Sequence, residues 1–181
     1  PPNQGSALGV RLISKKKDIE MALSDAFKFS SKVLVEERVI GREVTVGLLD
    51  TERGTKAFPI IEVTTPGDAW YDYDHRYTPG LSKHIIPAKI SSKLSLDIKN
   101  CAIEAHKALG CRDLSRADFI LRGDEFFLLE INTLPGMTNT SLYPEGAEGF
   151  GLQFPQLLDH LINRAFGRRV KGVKNENLSS D

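Results

Sequence analysis

The sequence predicts an α+β fold, with antiparallel hairpins and helices packed beside them. Three observations predict it. Two apolar runs, 114–121 and 126–131, are separated by a few residues that include Gly123-Asp124, the pattern of a hairpin. Residues 33–39 and 43–49 form a second such pair around Ile40-Gly41-Arg42. The helical pattern at 92–109 does not alternate regularly with strands, which argues against a doubly wound parallel sheet.

The elements follow in order. Residues 1–9, PPNQGSALG, read as a turn-rich opening. Ile19, Ala22, Leu23, Ala26 and Phe27 recur at helical spacing. Residues 33–39 (VLVEERV) and 43–49 (EVTVGLL) read as strands, and residues 57–63 as a third, with Pro59 marking an edge or bulge. Residues 64–82 form a long aromatic loop, a length usually kept for function. A short strand is expected at 84–87. Ser92 opens the clearest helix, with Leu94, Ile98, Cys101, Ala102, Ala105 and Leu109 on one face and Gly110 as its stop. A second long loop covers 133–151. A closing helix spans 154–166, with Pro155 in its first turn and Gly167 after it. Residues 168–181 are polar and expected to be disordered.

The charge balance limits the function classes. Lys plus Arg and Asp plus Glu both number 24 in 181 residues. Nucleic-acid binding normally needs a basic excess, so no such partner is expected. No run has transmembrane length, and no signal pattern is present, so no membrane partner is expected. Cys101 and Cys111 give neither a disulfide framework nor metal-ligand spacing, which fits a reducing, cytoplasmic setting. The start at Pro1 implies the later part of a longer protein.

Residues 126–138, FFLLEINTLPGMT, carry the chemistry. An apolar run ends in Glu130 and Asn132, which share one strand face, and a Pro-Gly turn follows. Asp118 lies in the preceding run. Two oxygen donors on one strand face suit a hard cation such as Mg2+, with Asp118 as the third candidate. The plainer alternative is a polar strand face in water. A three-residue loop, 123–125, pairs Asp118 with Glu130 and puts both on one face. A two-residue loop separates them unless a bulge restores the register.

Other groups are weaker signals. Gly5, Ser6 and Ala7 lie in a small-residue turn that could cradle phosphate through its N–H groups, or be an ordinary turn. Glu36, Glu37 and Glu43 could accept bonds from a base and a ribose, or be solvated charges. Arg76, with Tyr71, Tyr73, His75 and Tyr77, could face phosphate or carboxylate from the long loop, or pack structurally. Arg116, two residues before Asp118, could pair with a carboxylate or stabilise transition-state charge. Ser141 and the Gly136 backbone could hold a substrate carboxylate.

Taken together, GSALG, LVEERVIGREVTVGLL, YDYDHRY, SRADF and LLEINTLPGMTNTSL resemble the D-alanine–D-alanine ligases of the ATP-grasp superfamily, from residue 1 to about 166. The resemblance implies a small antiparallel central lobe at 1–64 and a C-terminal catalytic lobe at 65–167, with an antiparallel sheet and flanking helices. A tail at 168–181 follows, and a separate N-terminal domain precedes this chain. It implies ATP-dependent joining of two D-alanines for peptidoglycan precursors, and a homodimeric full-length protein. Gly5, Ser6 and Ala7 would close over the phosphates. Glu36, Glu37, Val39 and Glu43 would line the adenosine pocket, with Val39 beside the base. Asp118, Glu130 and Asn132 would hold two Mg2+ or Mn2+. Arg76 would face the γ-phosphate and substrate carboxylate, Arg116 and the Gly136 amide would meet the oxyanion, and Ser141 and Leu142 would dock the second D-alanine. Ser6 and Tyr77 would bond to each other and to a carboxylate of the N-terminal domain.

The family usually has Ser at the position of Ala7 and Lys at that of Arg76, which keeps charge but changes reach. Its ATP-binding lysine falls just before Pro1. The hairpin between the metal ligands is a residue shorter than in many relatives. Acceptors such as D-lactate or D-serine, or a non-catalytic nucleotide-binding fragment, are the competing readings.

Overall fold

The computed structural model describes residues 10–64 and 82–172. Its centre is a six-stranded antiparallel sheet. The strands are β1 (Arg42–Thr51), β2 (Gly54–Ala57), β3 (Ile61–Thr64), β4 (Lys83–Ile85), β5 (Leu114–Arg122) and β6 (Glu125–Asn132). They run in the order β4-β3-β1-β5-β6, and β2 pairs with the far half of β1. Helix α1 (Ile19–Phe27) precedes the sheet, after a 3-10 turn at Lys16–Asp18. Helix α2 (Ser92–Ala108) covers one face. Helices α3 (Leu142–Gly149) and α4 (Phe154–Gly172) lie on the other.

Alternation along the strands explains these two layers. Val44, Val46, Leu48, Ala117, Phe119 and Leu121 point to α2, where they meet Leu94, Ile98 and Ala102. Leu49 and Phe58, on the opposite side, meet Tyr143 and Ala147 of α3 and Leu157 of α4. Ser91 caps α2 by accepting from the Leu94 amide at 3.2 Å. Gly110, at φ 64°, ends it in the left-handed conformation, as its position after the periodic pattern predicts.

Several expectations change. Residues 33–39 form no strand: two adjacent glutamates and an arginine break the alternation, no ladder partner lies beside them among the described residues, and Leu34 and Val35 are exposed. The expected strand at 57–63 is split. β2 ends at Ala57 and β3 begins at Ile61, with Pro59, which has no amide hydrogen to give a ladder, in the gap. The loop at 133–151 contains α3, whose sequence LYPEGAEG hides a helix behind Pro and Gly. Pro144 falls in its first turn, where proline is tolerated. Helix α4 continues through Gly167 to Gly172, so 168–172 is helical rather than tail. Residues 173–181 lie outside the described residues.

The sheet also crosses residue 64, the expected lobe boundary, because β1 is hydrogen-bonded along its length to β5. No strand precedes Arg42 among the described residues, so the expected small antiparallel lobe is not visible in 10–41.

The start of β1 is fixed on three sides. Arg42 forks onto Glu62 at 2.7 and 2.6 Å and donates to the Lys89 carbonyl at 3.2 Å. The Glu62 bond pushes the Arg42 guanidinium's pKa up. Gly41 lies so close to β5 that a Cβ there would stand 2.0 Å from the Leu121 carbonyl oxygen.

A second anchor joins α4 to the start of β5. Asp113, at φ 68°, accepts from Arg164 Nε at 2.8 Å and pairs with Arg168. Burial raises the Asp113 pKa, but the two guanidiniums outweigh it and hold the carboxyl below its ordinary value. A carboxyl depressed in the folded state stabilises the fold above its unfolded value of about 3.9, and that stabilisation is lost as pH falls through the folded value. Asp113→Asn, which tolerates the left-handed backbone, should therefore lower Tm at pH 7 by an amount equivalent to about 2 kcal/mol. It should also flatten the acid limb of the Tm curve below about pH 4. Thermal melts of both proteins between pH 3 and 7 check this.

Candidate active site

The face of the sheet next to α3 carries the polar cluster. On β1, Glu43, Thr45 and Gly47 share this side, and on β5 Arg116, Asp118 and Ile120 do. On β6, Glu130 stands opposite Asp118 and Asn132 opposite Arg116. The two carboxylates therefore face each other across one strand pair, as the metal reading requires.

They arrive there by the bulge rather than by the three-residue loop. Gly123 and Asp124 form a two-residue turn that pairs Arg122 with Glu125, and Gly123 takes φ 62°, which the first position of a type II′ turn demands. That register alone would set Asp118 against Leu129. Between Asp118 and Phe119 the ladder slips: Phe119 pairs with Leu128 and Asp118 with Glu130, leaving Leu129 as the extra residue.

Burial is unequal across the cluster. β6 is an edge strand, and Glu130 is exposed. Asp118 is partly covered and compensated. Arg116 donates to it through Nε at 2.8 Å and Nη2 at 2.7 Å, and Thr45 Oγ1 lies 2.5 Å from Oδ1. Arg116 is itself only 9% exposed. The carboxylate-pairing role open to Arg116 in the sequence is thus present. Such a bidentate fork sets geometry as well as charge. Glu130 makes no hydrogen bond or ion pair among the described residues. Asn132 Oδ1 accepts from the Leu134 amide at 3.3 Å, which turns the chain out of β6 and leaves that oxygen a second lone pair.

The Pro-Gly turn brings the next group close. A Cβ on Gly136 would lie 2.7 Å from Ser141 Oγ, so these two predicted residues are neighbours. Ser141 Oγ accepts from the Thr138 amide at 3.0 Å and bonds Thr138 Oγ1 at 2.8 Å. Ser141 stands at the N-cap of α3 with no side-chain cap bond. Leu142 is buried with Ile61 and Val63, so its side chain belongs to the core and its backbone to the first turn of α3.

The remaining predicted residues divide. Glu43 lies on the site face of β1, half-buried. Glu36 and Glu37 are exposed and Val39 half-buried in the extended segment before β1. Gly5, Ser6, Ala7, Arg76 and Tyr77 lie outside the described residues. Thr45 was not singled out by the sequence, though its place two residues after Glu43 puts it on the same face. Among the described residues no group of three or more His, Cys, Asp or Glu side chains is placed to hold a metal, and no helix is long and apolar enough to cross a membrane. The donor set here is two carboxylates and an amide.

Comparison with known proteins decides the family. Residues 1–163 match the model described as D-ala D-ala ligase C-terminus. The chain belongs to the D-alanine–D-alanine ligase family. It is 44% identical over 162 residues to the D-alanine--D-alanine ligase of Desulforamulus reducens, covering 90% of this chain and 51% of that protein. It is 40% identical over 165 residues to that of Desulforudis audaxviator, covering 91% and 53%. The chain thus spans about half the length of the curated relatives it matches. Among solved structures, a Bacillus anthracis D-alanine--D-alanine ligase complexed with ATP superposes with a TM-score of 0.76 at 25% identity, covering 91% of this chain and 52% of that one. The VanG D-Ala:D-Ser ligase of Enterococcus faecalis gives 0.74 at 33% identity, covering 88% and 46%. The antiparallel sheet with flanking helices is thus the ATP-grasp ligase fold expected from the sequence.

Proposed function

We propose that this chain is the catalytic C-terminal part of an enzyme that joins two D-alanines at the expense of ATP, supplying peptidoglycan precursors in the cytoplasm. The observation that carries the reading is the register that sets Asp118 against Glu130, with Arg116 forked onto Asp118, inside a chain of this family. The ATP complexed with the Bacillus anthracis ligase, a structural relative, supports the nucleotide.

The site fits a hard divalent cation, Mg2+ or Mn2+. Its donors are oxygens on one face, and the Glu130 carboxylate is exposed and without a protein partner among the described residues. Asp118, Glu130 and Asn132 would hold two such ions, which supply neutralisation of phosphate charge. Glu36, Glu37, Val39 and Glu43 receive the adenosine. Gly5, Ser6, Ala7 and Arg76 attend the phosphates.

The carboxylate of the first D-alanine attacks the γ-phosphorus of ATP, giving an acyl phosphate and ADP. The amine of the second D-alanine then attacks the acyl carbon, and phosphate leaves. Arg116 is held by Asp118, so its positive charge is preset beside the reacting groups, and with the Gly136 amide it meets the oxyanion. Ser141 and the backbone of Leu142 receive the second carboxylate at the start of α3, where helix N–H groups favour an anion. Tyr77 and Ser6 orient the acceptor with an N-terminal domain of the same protein. That domain also provides the homodimer contact.

Phosphate release from MgATP by the full-length protein, with D-alanine, L-alanine, D-lactate or D-serine supplied, tests the proposal. Release that requires D-alanine is expected. Release with D-serine or D-lactate alone would reassign the acceptor, an alternative that the likeness to a D-Ala:D-Ser ligase makes specific. ATP binding without release under any condition would leave a nucleotide-binding protein.

A further inference from the structure

A side-chain contact joins β4 to α3. His84 Nδ1 lies 2.5 Å from Glu145 Oε2, across 61 residues of sequence. We infer that His84 and Glu145 are positioning residues, which fix the first turn of α3 against the sheet and so set the affinity for the acceptor carboxylate. The inference rests on the ligase reading, which places that carboxylate at Ser141 and Leu142.

Glu145 stands four residues after Ser141, one helical turn along the same side of α3, and its amide donates to the Ser141 carbonyl at 3.3 Å. Fixing Glu145 therefore fixes the turn that presents Ser141. Its anchor, β4, is a three-residue strand at the edge of the sheet, bonded among the described residues to β3. The pair ties this strand to the helix.

The chemistry is directional. An ionised carboxylate only accepts, so Nδ1 carries the proton and donates to Oε2. Ser82 Oγ lies 3.4 Å from Nε2, in place to donate to it and hold the ring.

Stability does not account for the pair. Its side chains are 17% and 36% exposed, and ion pairs so placed add little to folding. Helix α3 already has a buried anchorage. Tyr143 and Ala147 are 0% exposed, and the Tyr143 hydroxyl donates to the Leu48 carbonyl at 2.9 Å. What the pair adds is orientation of the exposed half of the first turn.

Glu145→Gln and His84→Ala in the full-length protein, assayed by phosphate release at saturating MgATP, provide the test. Each should raise the KM for D-alanine by about tenfold, with kcat within about twofold and Tm nearly unchanged. His84→Asn, whose amide can donate from near the Nδ1 position, should restore most of the KM. An unmoved KM in both variants, beside an active wild type, would remove the positioning role and leave the ligase reading intact. A fall in Tm with loss of kcat that Asn does not rescue would make the pair structural and likewise overturn the role. A wild type that releases no phosphate with D-alanine would remove the ligase reading, and this role with it.

Discussion

Glu130→Gln in the full-length protein should lower kcat for D-alanine-dependent phosphate release by about a hundredfold or more, while leaving Tm almost unchanged. The two halves of the expectation have separate causes. Glu130 is exposed on an edge strand and bonds to nothing among the described residues, so glutamine of the same shape leaves no buried group unpaired. Its one assigned task is to meet Asp118 across the strand pair as an oxygen donor to the cation. A neutral amide keeps the oxygen but loses the charge that neutralises the metal. Asp118→Asn would be a poorer test. It also disturbs the fork from the buried Arg116, so its effect mixes folding with chemistry. Steady-state kinetics over a range of Mg2+, beside a thermal melt, separate the cases. Wild-type turnover in the Gln variant would exclude Glu130 as a metal ligand.

The hairpin that carries these ligands shows how far sequence reaches. Its two apolar runs and the turn at Gly123 are plain in the sequence, and so is the shared face of Glu130 and Asn132. Whether Asp118 joins them depends on one residue of register, and two solutions fit the same letters. The structure takes the shorter turn and restores the register with an extra residue at Leu129. A bulge leaves no residue type behind that marks it. Its position is decided by what the strands pack against, and here Phe126 and Ile131, an odd number of residues apart on β6, both pack toward α2.

Two misread elements share a related cause. Residues 33–39 have strand composition, but a strand needs a ladder partner, and composition does not reveal one. Helix α3 has poor helix composition, yet Tyr143 and Ala147 on one face find an apolar seat on β1 and its neighbours. Tertiary packing outweighs intrinsic propensity in both. The site follows the same division. Donors close in sequence, Arg116 with Asp118 and Glu130 with Asn132, were legible from alternation. Thr45 to Asp118 and His84 to Glu145 are contacts over 73 and 61 residues, and no local period encodes them.

The seat of α3 gives the largest effect expected on stability. Phe58 is 0% exposed and sits between Tyr143 and Phe150, with ring centroids 5.2 and 5.3 Å away. Phe58→Ala removes the ring from the middle of this stack and should destabilise the protein by about 3–5 kcal/mol. Opposite the ring, Gly47 offers no Cβ; one built there would stand 2.4 Å from Phe58 Cδ2 and 3.2 Å from Tyr143 Cδ2. Because the fully buried Phe58 ring is packed against Tyr143 and Phe150, Gly47→Ala overpacks the layer and should cost about 1–3 kcal/mol. The two changes should not add. The Cβ that clashes with Phe58 meets space once the ring is gone, so the double variant should be more stable than the sum of the single losses predicts, by about 1 kcal/mol or more. Denaturant melts of the four proteins measure this coupling, and additive losses would mean that Gly47 is glycine for another reason. The consequence for catalysis comes through the same packing. Ser141 and Leu142 begin the helix that Phe58 seats, so Phe58→Ala should also weaken acceptor binding at temperatures where the protein is still folded, without touching a residue that meets the substrate.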